Sequence, residues 1–420
     1  MRILYVCDRL ITFILNEIIE LKKRGHDVYI LPDPNDFWVA HHIHHIIRPI
    51  LTKNGLLEKT FLRVRNYRNR KQKLVHLTYT VLYDFIRRPV VTLRALFYML
   101  QVYPNLGDGT EAYLDIRPFF YDQIDVLHAP FSTSQILDKI YLLAKSLNIP
   151  YTLSFRAHDI YLKNNQYEAQ KRLNIIQEAS QIITISSYNK NYLNKLLNIN
   201  GNIEIIHGAT NIDIFTPDRE TASPGSIIAV CRLDEQKGIM YLLEACHILQ
   251  KRGVDYTCTI IGEGQEKRKY EQLINELHIP NIHFVDYLTQ DEIKQYLDRS
   301  TVFVLPCLIG SDGRRDILAN AIKESMSMKV PVITSNICGI EELVDDGING
   351  ILVPPMNPDA IADAIVKLFS NPDLRKTMGE EGRRKIAKDF NIKTEVKKFE
   401  SIFKKILNNN ASNLKHDQST

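Results

Sequence analysis

Two cations, two glycines and two carboxylates in the second half of the chain have the types and spacing to do chemistry. In Cys231-Arg232-Leu233-Asp234-Glu235-Gln236-Lys237-Gly238, a strand-like run feeds a loop holding Arg232 and Lys237. A helix is expected to begin near Gly238. Two cations beside a helix N-terminus can take a phosphate, because fixed positive charge and free backbone N–H groups converge there. A solvated basic loop would have the same residues. Ile260-Ile261-Gly262-Glu263-Gly264 ends another strand with two glycines. These serve either close backbone approach to a ligand or a plain tight turn. Asp316 and Glu324 lie eight residues apart. The pattern predicts Asp316 at a helix start and Glu324 two turns in, an axial separation of ~12 Å. Carboxylates so placed can touch two parts of one long ligand, although an aspartate at a helix start is also a common cap. Glu324 sits near Met326 and Met328 in a largely apolar helix, which a mere surface acid need not do.

Loops of this kind need a rigid frame, and the hydrophobic pattern supplies one. Strands are expected at 227–231, 257–261, 282–285, 302–305, 332–334 and 351–353. Helices are expected between them, at about 239–252, 265–277, 290–298, 318–328 and 358–369. Six strands alternating with helices predict an α/β fold with a doubly wound parallel sheet, its ligand site at the carboxyl ends of the strands. The first half reads similarly. Strands are expected at 2–7, 27–31, 126–128, 151–155 and 182–185, with helices at 12–24, 133–147 and 167–179. The domains are expected to run from 1 to 217 and from 218 to 392, with 36–122 a helical, basic insertion in the first. A last helix over 393–407 would cross back to the first domain, and 408–420 would be a disordered tail. Two such domains leave a cleft between them, a preferred place for a ligand.

Composition narrows the partners. The 420 residues are 45% hydrophobic and 24% charged, which excludes disorder over most of the length. With 53 basic and 49 acidic residues the net charge is only +4, so no nucleic-acid partner is expected. No window of ~18 uncharged apolar residues predicts a membrane-spanning helix. The six cysteines are widely spaced with no C-x-x-C pair, as buried free thiols would be. The first apolar run is too short for a signal peptide, so a cytoplasmic location is expected. His41-His42-Ile43-His44-His45 is either a polar loop or a metal site. From Lys59 to Lys73 the chain carries seven basic residues and no acid, and Val81–Leu100 mixes apolar residues with Arg87, Arg88 and Arg94. The stretch 59–100 is therefore either a solvated helical face or a surface that lies on the anionic inner face of a membrane.

The pair Arg232-x4-Lys237-Gly238 and Asp316-x7-Glu324 resembles the signature of family 4 glycosyltransferases, the retaining GT-B enzymes. Gly339-Ile340-Glu341-Glu342-Leu343-Val344, Asp346-Gly347-Ile348-Asn349-Gly350 and Val353-Pro354-Pro355 are similar to that family's following loops. In the first half, Thr12-Phe13-Ile14, Asn16-Glu17, Arg24-Gly25-His26 and Arg156-Ala157-His158-Asp159-Ile160-Tyr161 resemble its polysaccharide-biosynthesis subgroup. The resemblance implies two Rossmann-like domains around a cleft. It implies that Arg232 and Lys237 hold the donor diphosphate and stabilise charge building on it. Asp316 would bind sugar hydroxyls, with Asn320 beside it, and Glu324 the ribose. Gly262, Gly264 and the Tyr287–Leu288 backbone would line the base. His158 would reach the sugar from the first domain, with Arg156 as the rival. No D-x-D occurs anywhere in the chain, so no metal and no other cofactor is expected. The implied partners are a nucleotide-sugar donor, UDP- or GDP-linked, and a glycan or lipid-linked acceptor. The chain departs from the subgroup at Ile317-Leu318-Ala319, where Gly-Ile-Pro is usual. A nucleotide-sugar epimerase of the same fold and a non-catalytic donor- or membrane-binding subunit are the alternatives.

Overall fold

The computed structural model describes residues 1–7, 12–32, 70–103, 105–199, 203–218 and 223–417. The histidine run at 41–45 and the basic residues from Lys59 to Arg68 lie outside the described residues, and only backbone is described for 70–77.

Two six-stranded parallel sheets organise the chain. The first contains β1 (Arg2–Cys7), β2 (Asp27–Pro32), β3 (Val126–Ala129), β4 (Tyr151–Phe155), β5 (Gln181–Thr184) and β6 (Ile203–Ile205), in the spatial order β2-β1-β3-β4-β5-β6. The second contains β7 (Ser226–Val230), β8 (Thr257–Ile261), β9 (Ile282–Val285), β10 (Val302–Leu305), β11 (Val332–Ser335) and β12 (Gly350–Val353), in the order β12-β11-β10-β7-β8-β9. Several strands are short apolar runs because helices cover both faces of the sheet. Val302, Phe303, Val304 and Leu305 are all fully buried. In the second sheet the winding direction reverses between β7 and β10. A reversal of that kind opens a crevice beyond the carboxyl ends of the two central strands.

The final helix, Ile392–Asp417, runs on beyond the expected end at 407. The expected disordered tail is therefore corrected up to Asp417: no glycine or proline interrupts Asn408–Asp417, and Ser412 Oγ donates back to the Asn408 carbonyl at 3.0 Å. Its apolar face returns to the first sheet, where Val396, Phe399 and Phe403 join Ile3, Tyr5 and Ile18 in one buried cluster. The single helix expected over 167–179 is instead two, Lys163–Lys171 and Leu173–Gln177. The break falls at Arg172, whose guanidinium is held by Asp138 at 2.7 Å. Two helices, Arg70–Arg87 and Pro89–Val102, pack on one another, and the second lies against the helix Ser134–Leu147. Among the described residues no helix is long and apolar enough to cross a membrane.

Candidate active site

The crevice beside β7 and β10 gathers the residues singled out above. β7 ends at Val230, and the loop after it carries Arg232 before a single 3-10 turn, Glu235–Lys237. Gly238 then turns the chain at φ +67° into the helix Ile239–Lys251. A Cβ at Gly238 would stand 2.0 Å from the Pro306 carbonyl oxygen, so the close approach of the β7 and β10 loops requires glycine there. Glu235 fastens the same two loops by accepting from the Ser311 backbone N–H at 3.0 Å and its hydroxyl at 2.7 Å.

Lys237 and Asp316 meet directly. The Lys237 ammonium lies 2.8 Å from both carboxylate oxygens of Asp316, and Cys307 Sγ approaches Oδ2 at 3.7 Å. Burial works against the charged ammonium. The Asp316 carboxylate outweighs that and holds the Lys237 pKa above its ordinary value. Arg232 is more exposed. It pairs at 2.5 Å with buried Asp234, which also has Arg314 at 3.8 Å.

The structure corrects the expected helical placement of the two carboxylates. The helix begins at Asn320, not at Asp316, and runs only to Ser327. Leu318 takes a left-handed conformation at φ +49° and Ala319 is extended, so Asp316 belongs to the preceding loop. The freed aspartate turns to Lys237 instead of lining up along a helix with Glu324. Glu324 is half-buried, and burial pushes its carboxyl up to about 7. Gln290 hydrogen-bonds it. This brings Glu324 to the loop after β9 that carries Tyr287 and Leu288, the latter packed on the core.

The two glycines after β8 have a packing role. Cβ atoms at Gly262 and Gly264 would fall 2.0 Å from the Cys231 carbonyl oxygen and 2.3 Å from that of Leu233. They let the β8 loop lie against the loop that presents Arg232.

Loops of the first sheet close the crevice from the other side. His158 opens the short helix His158–Tyr161 after β4, and its side chain lies outside the described residues. Arg156 is buried inward. Its guanidinium sits over the Phe13 ring at 4.5 Å, donates to the Pro130 carbonyl at 3.0 Å and has Glu17 at 3.6 Å. Tyr5 donates to the same glutamate at 2.5 Å. Of the other contacting residues, the sequence pattern does not single out Arg315 or Lys323, and Glu342 enters it only as part of a loop motif. Arg315 stands over the Tyr161 ring at 4.4 Å and donates to the Tyr188 hydroxyl at 3.3 Å. Glu342 accepts from the backbone N–H groups of Ser187 and Tyr188, at 3.0 and 3.1 Å, and so caps a first-domain helix from the second domain. Lys323, one residue before Glu324, is buried and donates to the Gly208 carbonyl. Burial, with Arg156 nearby, pushes its ammonium down to about 7. A charged residue within the buried helical run Ile322–Ser327 was the available clue. Among the described residues no group of three or more His, Cys, Asp or Glu side chains is placed to hold a metal ion.

Two parallel-sheet domains facing each other across loops at their carboxyl ends define a GT-B protein, as the sequence predicts. Residues 216–385, which include the paired motifs, match the family described as glycosyl transferases group 1. A curated relative is the amylovoran biosynthesis glycosyltransferase AmsK of Erwinia amylovora, 32% identical over 169 residues, 40% of this chain and 42% of the relative. The match thus spans less than half the length of such relatives. Among solved structures, a glycosyltransferase from Rickettsia africae aligns over 97% of this chain and 98% of its own, with TM-score 0.68 and 19% identity. Anabaena HepE in complex with UDP aligns over 96% and 100%, with TM-score 0.67 and 14% identity. At these identities the likeness bears on the fold.

Proposed function

We propose that this chain is a metal-independent, retaining glycosyltransferase. It moves a hexose-type sugar from a nucleotide-diphosphate donor to a hydroxyl of a glycan or lipid-linked acceptor in surface polysaccharide synthesis. The observation that carries the reading is the Lys237–Asp316 pair at 2.8 Å, set where the winding of the second sheet reverses and facing the first domain. A donor diphosphate competes with Asp316 for Lys237 and adds Arg232. Asp316, released, accepts from sugar hydroxyls, with the Asn320 helix start beside it. Glu324, near neutrality and beside the Tyr287–Leu288 loop, takes the ribose. As the glycosidic bond breaks, negative charge grows on the leaving phosphate, where Lys237 and Arg232 are already fixed. No side-chain nucleophile is assigned, since the leaving phosphate can assist attack on the same face. His158 opens the short helix after β4, on the side of the cleft that would approach the sugar. Support for the polysaccharide setting comes from relatives such as AmsK, and support for the donor from the UDP complex of HepE.

A thermal-shift panel of UDP-, GDP- and ADP-sugars, with Mg²⁺ or EDTA, tests the donor site. A rise in melting temperature for one nucleotide, unchanged by EDTA, is expected, because ligand binding stabilises the folded state by mass action. No rise with any nucleotide would refute it. A second reading, a non-catalytic donor-binding subunit, is favoured by Ile317–Ala319, where the loop takes a left-handed turn on a leucine. Donor binding without transfer to any acceptor would select it.

A further inference from the structure

The helices Arg70–Arg87 and Pro89–Val102 carry an outer face that the fold leaves uncovered. Nine of the sixteen large apolar side chains that stand exposed among the described residues fall between Tyr79 and Leu100. Their spacing is helical. Leu82 and Ile86 are one turn apart on the first helix, and Val90, Leu93, Phe97 and Leu100 recur along the second. Each is more than half exposed. The opposite face does the packing, with Thr80 and Asp84 buried on the first helix and Thr92, Ala95 and Met99 on the second. The outer row is thus not needed to hold the helices in place.

The charges around that row are one-sided. Arg87, Arg88 and Arg94 are exposed, and Asp84 is the one acid between Arg70 and Gly107. Asp84 is fully buried and turned inward, accepting from Arg117 Nε at 2.6 Å, the Tyr121 hydroxyl at 2.6 Å and the Tyr113 hydroxyl at 3.0 Å. The surface from Tyr79 to Leu100 therefore presents apolar groups and positive charge with no exposed carboxylate. Tyrosines mark the junction. The guanidinium of Arg87 lies 5.7 Å from the Tyr83 ring, and that of Arg88 lies 5.9 Å from the Tyr121 ring. Aromatic rings with a polar tip, and arginines with apolar stems, suit the boundary between hydrocarbon and headgroup.

We infer that this outer face seats the protein on the surface of an anionic lipid bilayer. The apolar rows enter the headgroup–acyl boundary, and the three arginines meet lipid phosphates. No shape-matched partner is required, because a bilayer yields to the surface that enters it. The inference rests on surface chemistry and not on the glycosyl-transfer reading, although a lipid-linked acceptor would give the seating a purpose.

Flotation of the full chain with vesicles of phosphatidylcholine alone, or with 30% phosphatidylglycerol, tests it. Binding to the anionic vesicles is expected, falling as salt rises. An arginine near such a surface contributes about 1 kcal/mol, or roughly fivefold in affinity. The triple variant Arg87→Ser, Arg88→Ser, Arg94→Ser should then bind on the order of 100-fold more weakly. Leu82→Ser, Ile86→Ser, Phe97→Ser should lose at least tenfold with its melting temperature within a few degrees of wild type. Should that variant misfold, protection of the Arg87 and Arg94 sites from trypsin by vesicles on the wild-type chain replaces it. Absence of binding by the wild-type chain would overturn the inference. So would unchanged binding in both variants, or a lipid-free dimer that the apolar variant dissolves. Vesicle binding without glycosyl transfer would leave this inference standing and count against the proposed function alone.

Discussion

Replacing Lys237 by alanine tests the site most directly. The ammonium is 2.8 Å from Asp316, and the two side chains are only 15% and 23% exposed, so solvent screens the pair incompletely. Two opposite charges ~4 Å apart interact by ~4 kcal/mol at the effective dielectric of such a place. Loss of one preorganised donor to a developing oxyanion costs about 3–4 kcal/mol, on the order of 100- to 1,000-fold in turnover. Lys237→Ala also leaves Asp316 without its cation, close to where a diphosphate would sit, and like charge then adds to the loss. The expected result is a fall in kcat of that size with UDP- or GDP-sugar and acceptor, in a protein destabilised by about 1.5–3 kcal/mol through the lost charged hydrogen bond. The double variant Lys237→Ala, Asp316→Asn should recover part of the donor affinity, because it removes the uncompensated carboxylate. Turnover within a few-fold of wild type in Lys237→Ala would refute the role given to this residue.

Other consequences can be measured separately. Lys323 titrates at about 7 in the folded chain against an ordinary 10.5. A depressed lysine costs stability wherever the unfolded chain is protonated and the folded one is not, so wild-type stability should rise from pH 7 to pH 10. Lys323→Met should remove that slope, with a gain over wild type of a few kcal/mol at pH 7 that shrinks toward pH 10 in urea unfolding. A pH-independent difference would disprove the buried titration. Glu324 acts in the opposite sense: its carboxyl is raised to about 7, so its share of stability should decline as pH rises from 4.5 to 7, and Glu324→Gln should flatten that limb. Asp84→Ala strips Arg117, Tyr113 and Tyr121 of their acceptor and should cost about 2–4 kcal/mol, read as a lower melting temperature and faster proteolysis at the helices it anchors. Gly238→Ala puts a Cβ 2.0 Å from the Pro306 carbonyl at φ +67° and should cost more than about 2 kcal/mol along with donor binding; a wild-type melting curve would contradict the close approach.

Much of the frame was legible in the sequence. Short apolar runs bounded by polar and glycine-rich stretches are what a sheet covered on both faces requires, and strands such as β4 and β8 fall where that pattern puts them. Arg232 and Lys237 were legible because they follow closely on the end of β7, where local pattern alone places a residue near the carboxyl edge, and Asp316 because of its spacing to Glu324. What the pattern misjudged was conformation at single residues. Nothing in Ile317-Leu318-Ala319 marks Leu318 as left-handed, yet that one dihedral takes Asp316 off the helix and turns it to Lys237.

The sequence by itself determined the two α/β units, the cations at the end of β7 and the lopsided charge of 59–100, because each is a property of neighbours along the chain. Only the tertiary structure decided which partners those residues have. The glycines at 262 and 264 face carbonyls of another loop, and Asp84 is drawn inward by Arg117, Tyr113 and Tyr121. Glu342 reaches across more than 150 residues of sequence to cap a helix at Ser187 and Tyr188. Contacts of that separation depend on how strands are ordered in the sheets and how the two sheets meet, and no local spacing encodes that order.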